Sequence, residues 1–107
     1  MVYTIEELKE KITPIAIKYR LPAVYVFGSY ARGEANENSD VDLLIRRQGS
    51  NLQGWQLGAL YEDLREGLQK GIDLVTIEAI ETADERERSP WFIDYVKNDR
   101  LTIYENN

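Results

Sequence analysis

Two short apolar segments of this chain each carry an aspartate at the second position. Residues 41–46 read Val-Asp-Leu-Leu-Ile-Arg, and residues 72–77 read Ile-Asp-Leu-Val-Thr-Ile. Both segments have the composition of buried β-strands. A carboxylate inside such a strand is unfavourable unless a hydrogen-bond donor, a positive charge or a metal ion compensates it. The chain must therefore fold so that these two aspartates reach a compensating group.

A third aspartate, Asp40, precedes Asp42 by two residues. Residues i and i+2 of a strand project from the same face, roughly 6.5–7 Å apart along the backbone, so the two carboxylates can converge on a hard cation. In the alternative interpretation, Asp40 is a turn residue after Ser39 and Asp42 is solvated. The apolar residues around Asp42 argue against that alternative. If Asp73 joins the pair, the crowding of like charges favours a bound cation.

A strand predicted at residues 23–27 ends in the pair Gly28-Ser29, and a short helix is predicted at 30–33. A helix start offers free N–H groups and about half a positive charge, which suits a phosphate. The same pair also occurs at ordinary turns, so by itself it assigns no function. Together with three carboxylates it describes a two-metal phosphoryl or nucleotidyl transfer site, in which the ions lie roughly 3.5–4 Å apart.

The composition narrows the chemistry further. The chain has 107 residues, no His and no Cys, and its 13 basic and 19 acidic residues give a net charge of −6. A disulfide framework, a thiolate nucleophile, an imidazole base and an ordinary zinc site are therefore excluded. Any metal must bind oxygen ligands, which favours magnesium, manganese or calcium. The acidic charge also disfavours non-specific nucleic-acid binding.

No segment of the sequence suggests export or membrane insertion. The longest apolar runs have about five residues, whereas a membrane span needs about 20. Residues 1–7 lack the basic and apolar regions of a signal peptide. We expect residues 1–107 to form one cytoplasmic domain that does not contact a membrane.

Apolar periodicity and turn residues predict seven elements. The predicted helices are 4–20, 53–70 and 89–98, and the predicted strands are 23–27, 41–46, 72–77 and 101–104. Residues 78–88 are rich in charge and ambiguous. The order α-β-β-α-β-α-β indicates an α+β or α/β sandwich, in which helices pack on a small mixed β-sheet.

Local signals mark some helix boundaries. Thr4 and Glu7 form a potential capping box at the start of the first helix. Pro14 either kinks that helix or begins a new segment that Thr13 caps. Gly71 is predicted to end the helix at 53–70. The aromatic residues of the second half are interpreted as core or helix-packing residues, or alternatively as a partner surface; they are Trp55, Trp91, Phe92 and Tyr95.

The run Phe-Gly-Ser-x-Ala-Arg-Gly at 27–33, followed by Ser-Asp-Val-Asp-Leu-Leu at 39–44 and by Asp73, resembles the minimal nucleotidyltransferases (MNT) of the DNA polymerase beta-like superfamily. The resemblance extends over nearly the whole chain and implies the nucleotidyltransferase fold. It also implies ATP as a substrate and two Mg²⁺ ions, with Mn²⁺ as a possible replacement.

The resemblance further implies a role for each site residue. Gly28 and Ser29 would bind the β- and γ-phosphates. Asp40 and Asp42 would ligate both metal ions, and Asp73 would ligate the catalytic ion and help to deprotonate the acceptor hydroxyl. For Arg32, which follows in the same motif, two interpretations stay open. It either pairs with a phosphate or holds the loop against an acidic neighbour such as Glu34.

Proteins of this family are typically antitoxins whose partner is a helical HEPN ribonuclease toxin. The resemblance implies that AMP is transferred from ATP to a hydroxyl of the cognate HEPN toxin, with tyrosine as the expected acceptor, and that this neutralises the toxin. Two alternatives stay open. In the first, the chain neutralises its toxin mainly by stoichiometric binding. In the second, it transfers a nucleotide to a small molecule of the aminoglycoside type.

Overall fold

The computed structural model describes residues 2–82 and 100–106 of the chain. Within this part, four strands form one mixed β-sheet with the spatial order β3-β2-β1-β4. The strands are β1 (Ala23–Phe27), β2 (Val41–Arg46), β3 (Ile72–Thr76) and β4 (Leu101–Glu105). β1 pairs antiparallel with β2 and β4, whereas β2 pairs parallel with β3. All four lie within a residue or two of their predicted bounds.

Four helices are present in the same part of the chain: α1 (Ile5–Lys18), α2 (Gly28–Arg32), α3 (Gln56–Leu68) and α4 (Ile77–Thr82). The prediction of a small mixed sheet packed by helices is confirmed. The short helix α2 adds one element to the predicted order, and α4 occupies the start of the segment that was ambiguous. The helix predicted at 89–98, with Trp91, Phe92 and Tyr95, lies outside the described residues. No helix among the described residues is long and apolar enough to cross a membrane.

The two faces of the sheet pack against different groups of side chains. Val41, Leu43 and Ile45 of β2 belong to the main core, which α1 and α3 complete. Leu44 belongs to a second, smaller cluster on the opposite face. The other buried members of that cluster are Phe27, Val75, Ile77 and Ile80. Because side chains alternate along a strand, Asp42 lies on the same face as Leu44.

The predicted capping box of α1 is present. The Glu7 N–H donates to Thr4 Oγ1 over 3.1 Å, and the Thr4 N–H donates to Glu7 Oε1 over 2.9 Å. Pro14 lies inside α1, which continues past it as one helix. Pro14 and Glu10 are both exposed. Water can therefore reach the Glu10 carbonyl that the proline leaves without its helical donor.

The prediction that Gly71 ends α3 is wrong. The helix ends at Leu68, and Gln69 adopts the left-handed conformation with φ of 53°. The Gln69 N–H donates to the Arg65 carbonyl, and its side-chain Nε2 donates to the Glu66 carbonyl over 2.7 Å. These two hydrogen bonds satisfy carbonyls of the last turn, which offsets the unfavourable backbone conformation of a residue with a Cβ.

A polar contact joins α3 to the C-terminal end of α1. The Tyr19 hydroxyl donates to Asp63 Oδ2 over 2.6 Å, and Lys18 Nζ donates to the same oxygen over 3.0 Å. The two donors, Tyr19 first, hold the pKa of Asp63 below its usual value. A carboxylate with a lowered pKa contributes stability at neutral pH that is lost as the pH falls through that pKa.

We expect Tyr19→Phe to lower the free energy of unfolding at neutral pH by about 1 kcal/mol, because one hydrogen bond to a partly exposed carboxylate is lost. Chemical denaturation measures this change. Tyr61→Phe in α3 is the matched control, since no hydrogen bond of the Tyr61 hydroxyl is found within the described residues. Equal stability of the two variants would contradict a role for the Tyr19 hydroxyl.

Candidate active site

The candidate site lies at the end of the sheet where β1 ends and where β2 and β3 both begin. Phe27, the last residue of β1, pairs with Asp42 of β2. Asp42 in turn pairs with Asp73 of β3. The structure therefore brings together Gly28, which follows Phe27, and two of the three predicted carboxylates. These residues come from distant parts of the sequence, and the strand register alone makes them neighbours.

Gly28 is the residue against which the Asp42 carboxyl packs. Its φ is +72°, a conformation that residues with a Cβ rarely adopt. A Cβ placed on Gly28 would overlap Asp42 Oδ2 and would lie 3.1 Å from Asp42 Cγ. Glycine is thus required here twice, once for the backbone turn and once for the close approach of the carboxyl.

Helix α2 begins directly at Gly28, and no side chain caps its first turn. Ser29 is partly buried at this helix start. Uncapped N–H groups at a helix start, next to a serine hydroxyl, can donate hydrogen bonds to an anion such as phosphate. The structure thus places the predicted pair Gly28-Ser29 beside Asp42, on the end of the sheet where Asp73 also lies.

The surroundings of Asp42 disfavour its ionised form. Burial, followed by the negative charges of Asp73 and Asp40, raises the pKa of Asp42 to about 6, while the Arg32 charge opposes the rise. Within the described residues, no hydrogen bond or ion pair to the Asp42 carboxylate is found. A divalent cation would supply the missing compensation. The charge and burial of Asp42 thus agree with the predicted oxygen-liganded ion of the Mg²⁺ or Mn²⁺ type.

The other two aspartates are exposed. Asp73 is exposed, although it lies in an apolar strand, because β3 is an edge strand of the sheet within the described residues. Asp40 is also exposed and precedes the first residue of β2. Its carboxyl packs toward Gly71, next to β3, whereas the Asp42 carboxyl packs toward Gly28, next to β1.

The carboxylates are neighbours, but they are not gathered around one point. Among the described residues, no three acidic side chains stand close enough together to share one ion. Metal binding by Asp40, Asp42 and Asp73 thus stays a prediction, which the burial and charge of Asp42 support.

Arg32 lies beside this site and contacts Glu34. Its Nε is 3.1 Å from Glu34 Oε2. This contact matches the interpretation in which Arg32 holds the loop. The Arg32 charge also acts on Asp42, where it opposes the rise of the pKa.

Sequence reasoning did not identify the contact between Gly71 and Asp40. It interpreted Gly71 as a helix stop, because glycine often follows the last turn of a helix. The available signal was its position two residues before Asp73, at the start of a strand.

The raised pKa of Asp42 predicts how pH affects the stability of the metal-free protein. Between pH 3.8 and about pH 6, Asp42 has lost its proton in the unfolded chain but still holds it in the folded chain. The contribution of this group to the free energy of unfolding therefore falls as the pH rises through that window. We expect Asp42→Asn to gain stability relative to the wild type across the same window. Denaturation with a chelator present measures the difference, and a difference independent of pH would contradict the expectation.

Comparison with known proteins finds similarity to nucleotidyltransferases. The family model described as nucleotidyltransferase domain matches residues 4–100. The protein named "Putative protein adenylyltransferase MJ0435", from Methanocaldococcus jannaschii, is 40% identical over 77 residues, which cover 71% of this chain and 81% of the relative.

Two solved structures share the fold. One is described as a putative minimal nucleotidyltransferase. It has 28% identity and a TM-score of 0.65, and the match covers 92% of this chain and 95% of that one. The other contains a tri-AMPylated Shewanella oneidensis HEPN toxin in complex with an MNT antitoxin. It has 19% identity and a TM-score of 0.63, with coverage of 96% and 74%. The family match over residues 4–100 and the shared fold lead to one conclusion: the chain belongs to the nucleotidyltransferase domain family.

Proposed function

We propose that this protein is a nucleotidyltransferase that moves AMP from ATP to a hydroxyl group of a partner protein. The single observation that carries the proposal is the Asp42 carboxyl. It is partly buried, packs against Gly28 at the start of α2, and pairs in register with Asp73. A negative group would not be held in this position by packing alone, because burial and two neighbouring charges oppose its ionisation. A cation that also binds a nucleotide explains the arrangement.

In this proposal, different residues of the chain bind the phosphates and the metal ions. The first N–H groups of α2 and the Ser29 hydroxyl would hold the β- and γ-phosphates. Asp40, Asp42 and Asp73 would hold two Mg²⁺ ions, or Mn²⁺ in their place. When bound, such ions polarise the α-phosphate and stabilise the leaving group.

The transfer is a single substitution at the α-phosphorus. The acceptor oxygen forms a bond to the α-phosphorus, the bond from that phosphorus to the bridging oxygen of the β-phosphate breaks, and pyrophosphate leaves. The acceptor proton passes to a carboxylate, for which Asp73 is the candidate.

The proposed acceptor is a tyrosine of a HEPN ribonuclease toxin, which the attached AMP would neutralise. Two similarities support this choice: the archaeal relative is named an adenylyltransferase, and a structural neighbour is an MNT antitoxin bound to an AMPylated HEPN toxin. We place the pair in the cytoplasm and assign residues 1–107 to one domain.

Stoichiometric binding of the toxin is the second candidate function. Trp55 favours it, because 78% of its surface is exposed. This exposure also corrects the interpretation of Trp55 as a core residue. Large aromatic side chains are enriched at protein interfaces, where their apolar surface becomes buried. Binding and catalysis are compatible, so the experiment must separate them.

Labelled ATP separates the candidates. The protein is incubated with Mg²⁺, with a HEPN protein as the candidate partner, and with ATP labelled either at the α- or at the γ-phosphate. We expect label on the partner from α-labelled ATP only. Label from γ-labelled ATP would indicate a kinase. An unlabelled partner that still loses its ribonuclease activity would leave the binding function, and label on an aminoglycoside alone would indicate the small-molecule alternative.

A further inference from the structure

The glycine at position 71 has no conformational explanation in this structure. Helix α3 already ends at Leu68, and Gln69 supplies the left-handed residue. The glycines with positive φ are Gly28, Gly33 and Gly49 among the described residues, and Gly71 is not one of them. Any residue could adopt its backbone conformation, so the reason for glycine must lie in what surrounds it.

The space that a side chain at position 71 would enter is occupied by one carboxyl group. A Cβ at this position would overlap Asp40 Oδ1, and it would lie 3.0 Å from Asp40 Cγ and 3.6 Å from Asp40 Oδ2. These are the three nearest atoms to that position, and all belong to the same side chain. Asp40 therefore occupies the space that a side chain at position 71 would need.

Two hydrogen bonds, one between backbone groups and one from a lysine side chain, join the two segments around this contact. The Val41 N–H donates to the Gly71 carbonyl over 3.0 Å. Lys70 Nζ donates to the Glu37 carbonyl over 3.1 Å. The segment that ends in Asp40 is thus attached to the start of β3 both before and after the aspartate. Separating the two segments to accommodate a side chain at position 71 would break the backbone hydrogen bond between Val41 and Gly71.

We propose that Gly71 is a positioning residue for the Asp40 carboxylate. The absence of a side chain at position 71 lets this carboxylate lie against the start of β3, on the end of the sheet where Asp42 and Asp73 are found. A methyl group there would turn the Asp40 side chain away, because its carboxyl end rotates more easily than the two hydrogen-bonded backbones separate. The proposal rests on the proposed function insofar as that function makes Asp40 a metal ligand.

The test is Mn²⁺ binding by the purified full chain, measured by the loss of the free Mn²⁺ signal in electron paramagnetic resonance. We expect Gly71→Ala to weaken binding roughly ten- to a hundredfold, as is usual when a residue that orients a metal ligand is changed. Its melting temperature should stay close to that of the wild type. The matched control is Gly58→Ala in α3, where a Cβ meets nothing within 4 Å, and its Mn²⁺ affinity should not change.

A double-mutant cycle shows whether Gly71 acts through Asp40. In an Asp40→Ala background the carboxyl is gone, and we expect Gly71→Ala to weaken Mn²⁺ binding no further. Equal losses in both backgrounds, or an unfolded Gly71→Ala variant, would overturn the positioning role. Unchanged affinity of Gly71→Ala, with weakened binding by Asp40→Ala, would overturn this inference and leave the proposed function intact. Unchanged affinity of Asp40→Ala would instead contradict the proposed function, and the inference would fail with it.

Discussion

Replacing Asp42 with asparagine is expected to reduce AMP transfer to the partner by at least two to three orders of magnitude, roughly the loss seen when one group that stabilises transition-state charge is removed. Asparagine has nearly the same shape, so the packing against Gly28 is kept, but the negative charge that would hold a divalent cation is lost. Transfer is measured as label from α-labelled ATP on the partner protein, at saturating ATP and Mg²⁺.

The same substitution should not damage the fold. Burial and two neighbouring charges act against the ionised form of Asp42, so the metal-free variant should be at least as stable as the wild type at neutral pH. Asp63→Asn is the matched control, because Asp63 links α1 and α3 through Tyr19 and Lys18 and has no place in the site. It should lose some stability and keep transfer activity. Full activity of Asp42→Asn would contradict the proposed role of the Asp42 carboxylate in AMP transfer.

The second large effect is expected for Gly28→Ala. A residue with a Cβ in the left-handed region costs about 1–2 kcal/mol, and the overlap with Asp42 adds an overpacking cost of roughly 1–3 kcal/mol. The methyl group must also displace the Asp42 carboxyl, so AMP transfer should fall to the level of Asp42→Asn. Chemical denaturation and the transfer assay measure the two effects separately.

Gly33 provides a close control for this substitution. Its φ is also +72°, but a Cβ there would meet nothing within 4 Å. Gly33→Ala therefore carries the same backbone strain without the contact to Asp42. We expect it to lose stability through strain alone and to keep most of its activity. Equal losses of activity in both variants would show that strain, and not displacement of the carboxyl, is responsible.

Much of the fold could be predicted from the sequence because its signals are local. The strands are short, apolar segments, and Thr4 with Glu7 marks the start of α1 by a contact between residues three apart. The position of Gly28-Ser29 at the end of β1 follows from the same kind of signal. These features depend on neighbours in the sequence, so no tertiary information is needed to find them.

The remaining features depend on contacts that the sequence does not display. The exposure of Asp73 follows from the place of β3 in the sheet order, which composition does not reveal. The end of α3 depends on the Gln69 side chain, which satisfies a carbonyl and so allows a left-handed residue other than glycine. From the sequence, the left-handed residue after α3 is expected to be a glycine, and Gly71 was the nearest candidate. The contact between Gly71 and Asp40 is visible only in the structure.

We expect this chain to attach AMP to a partner protein by means of Asp42 and the residues around it. The attachment is tested most directly by the intact mass of the partner after incubation with ATP, Mg²⁺ and either the wild-type protein or the Asp42→Asn variant. We predict that the partner gains one or more whole AMP units with the wild type and none with the variant. An unchanged partner mass with the wild type, under conditions where the two proteins form a complex, would contradict this expectation.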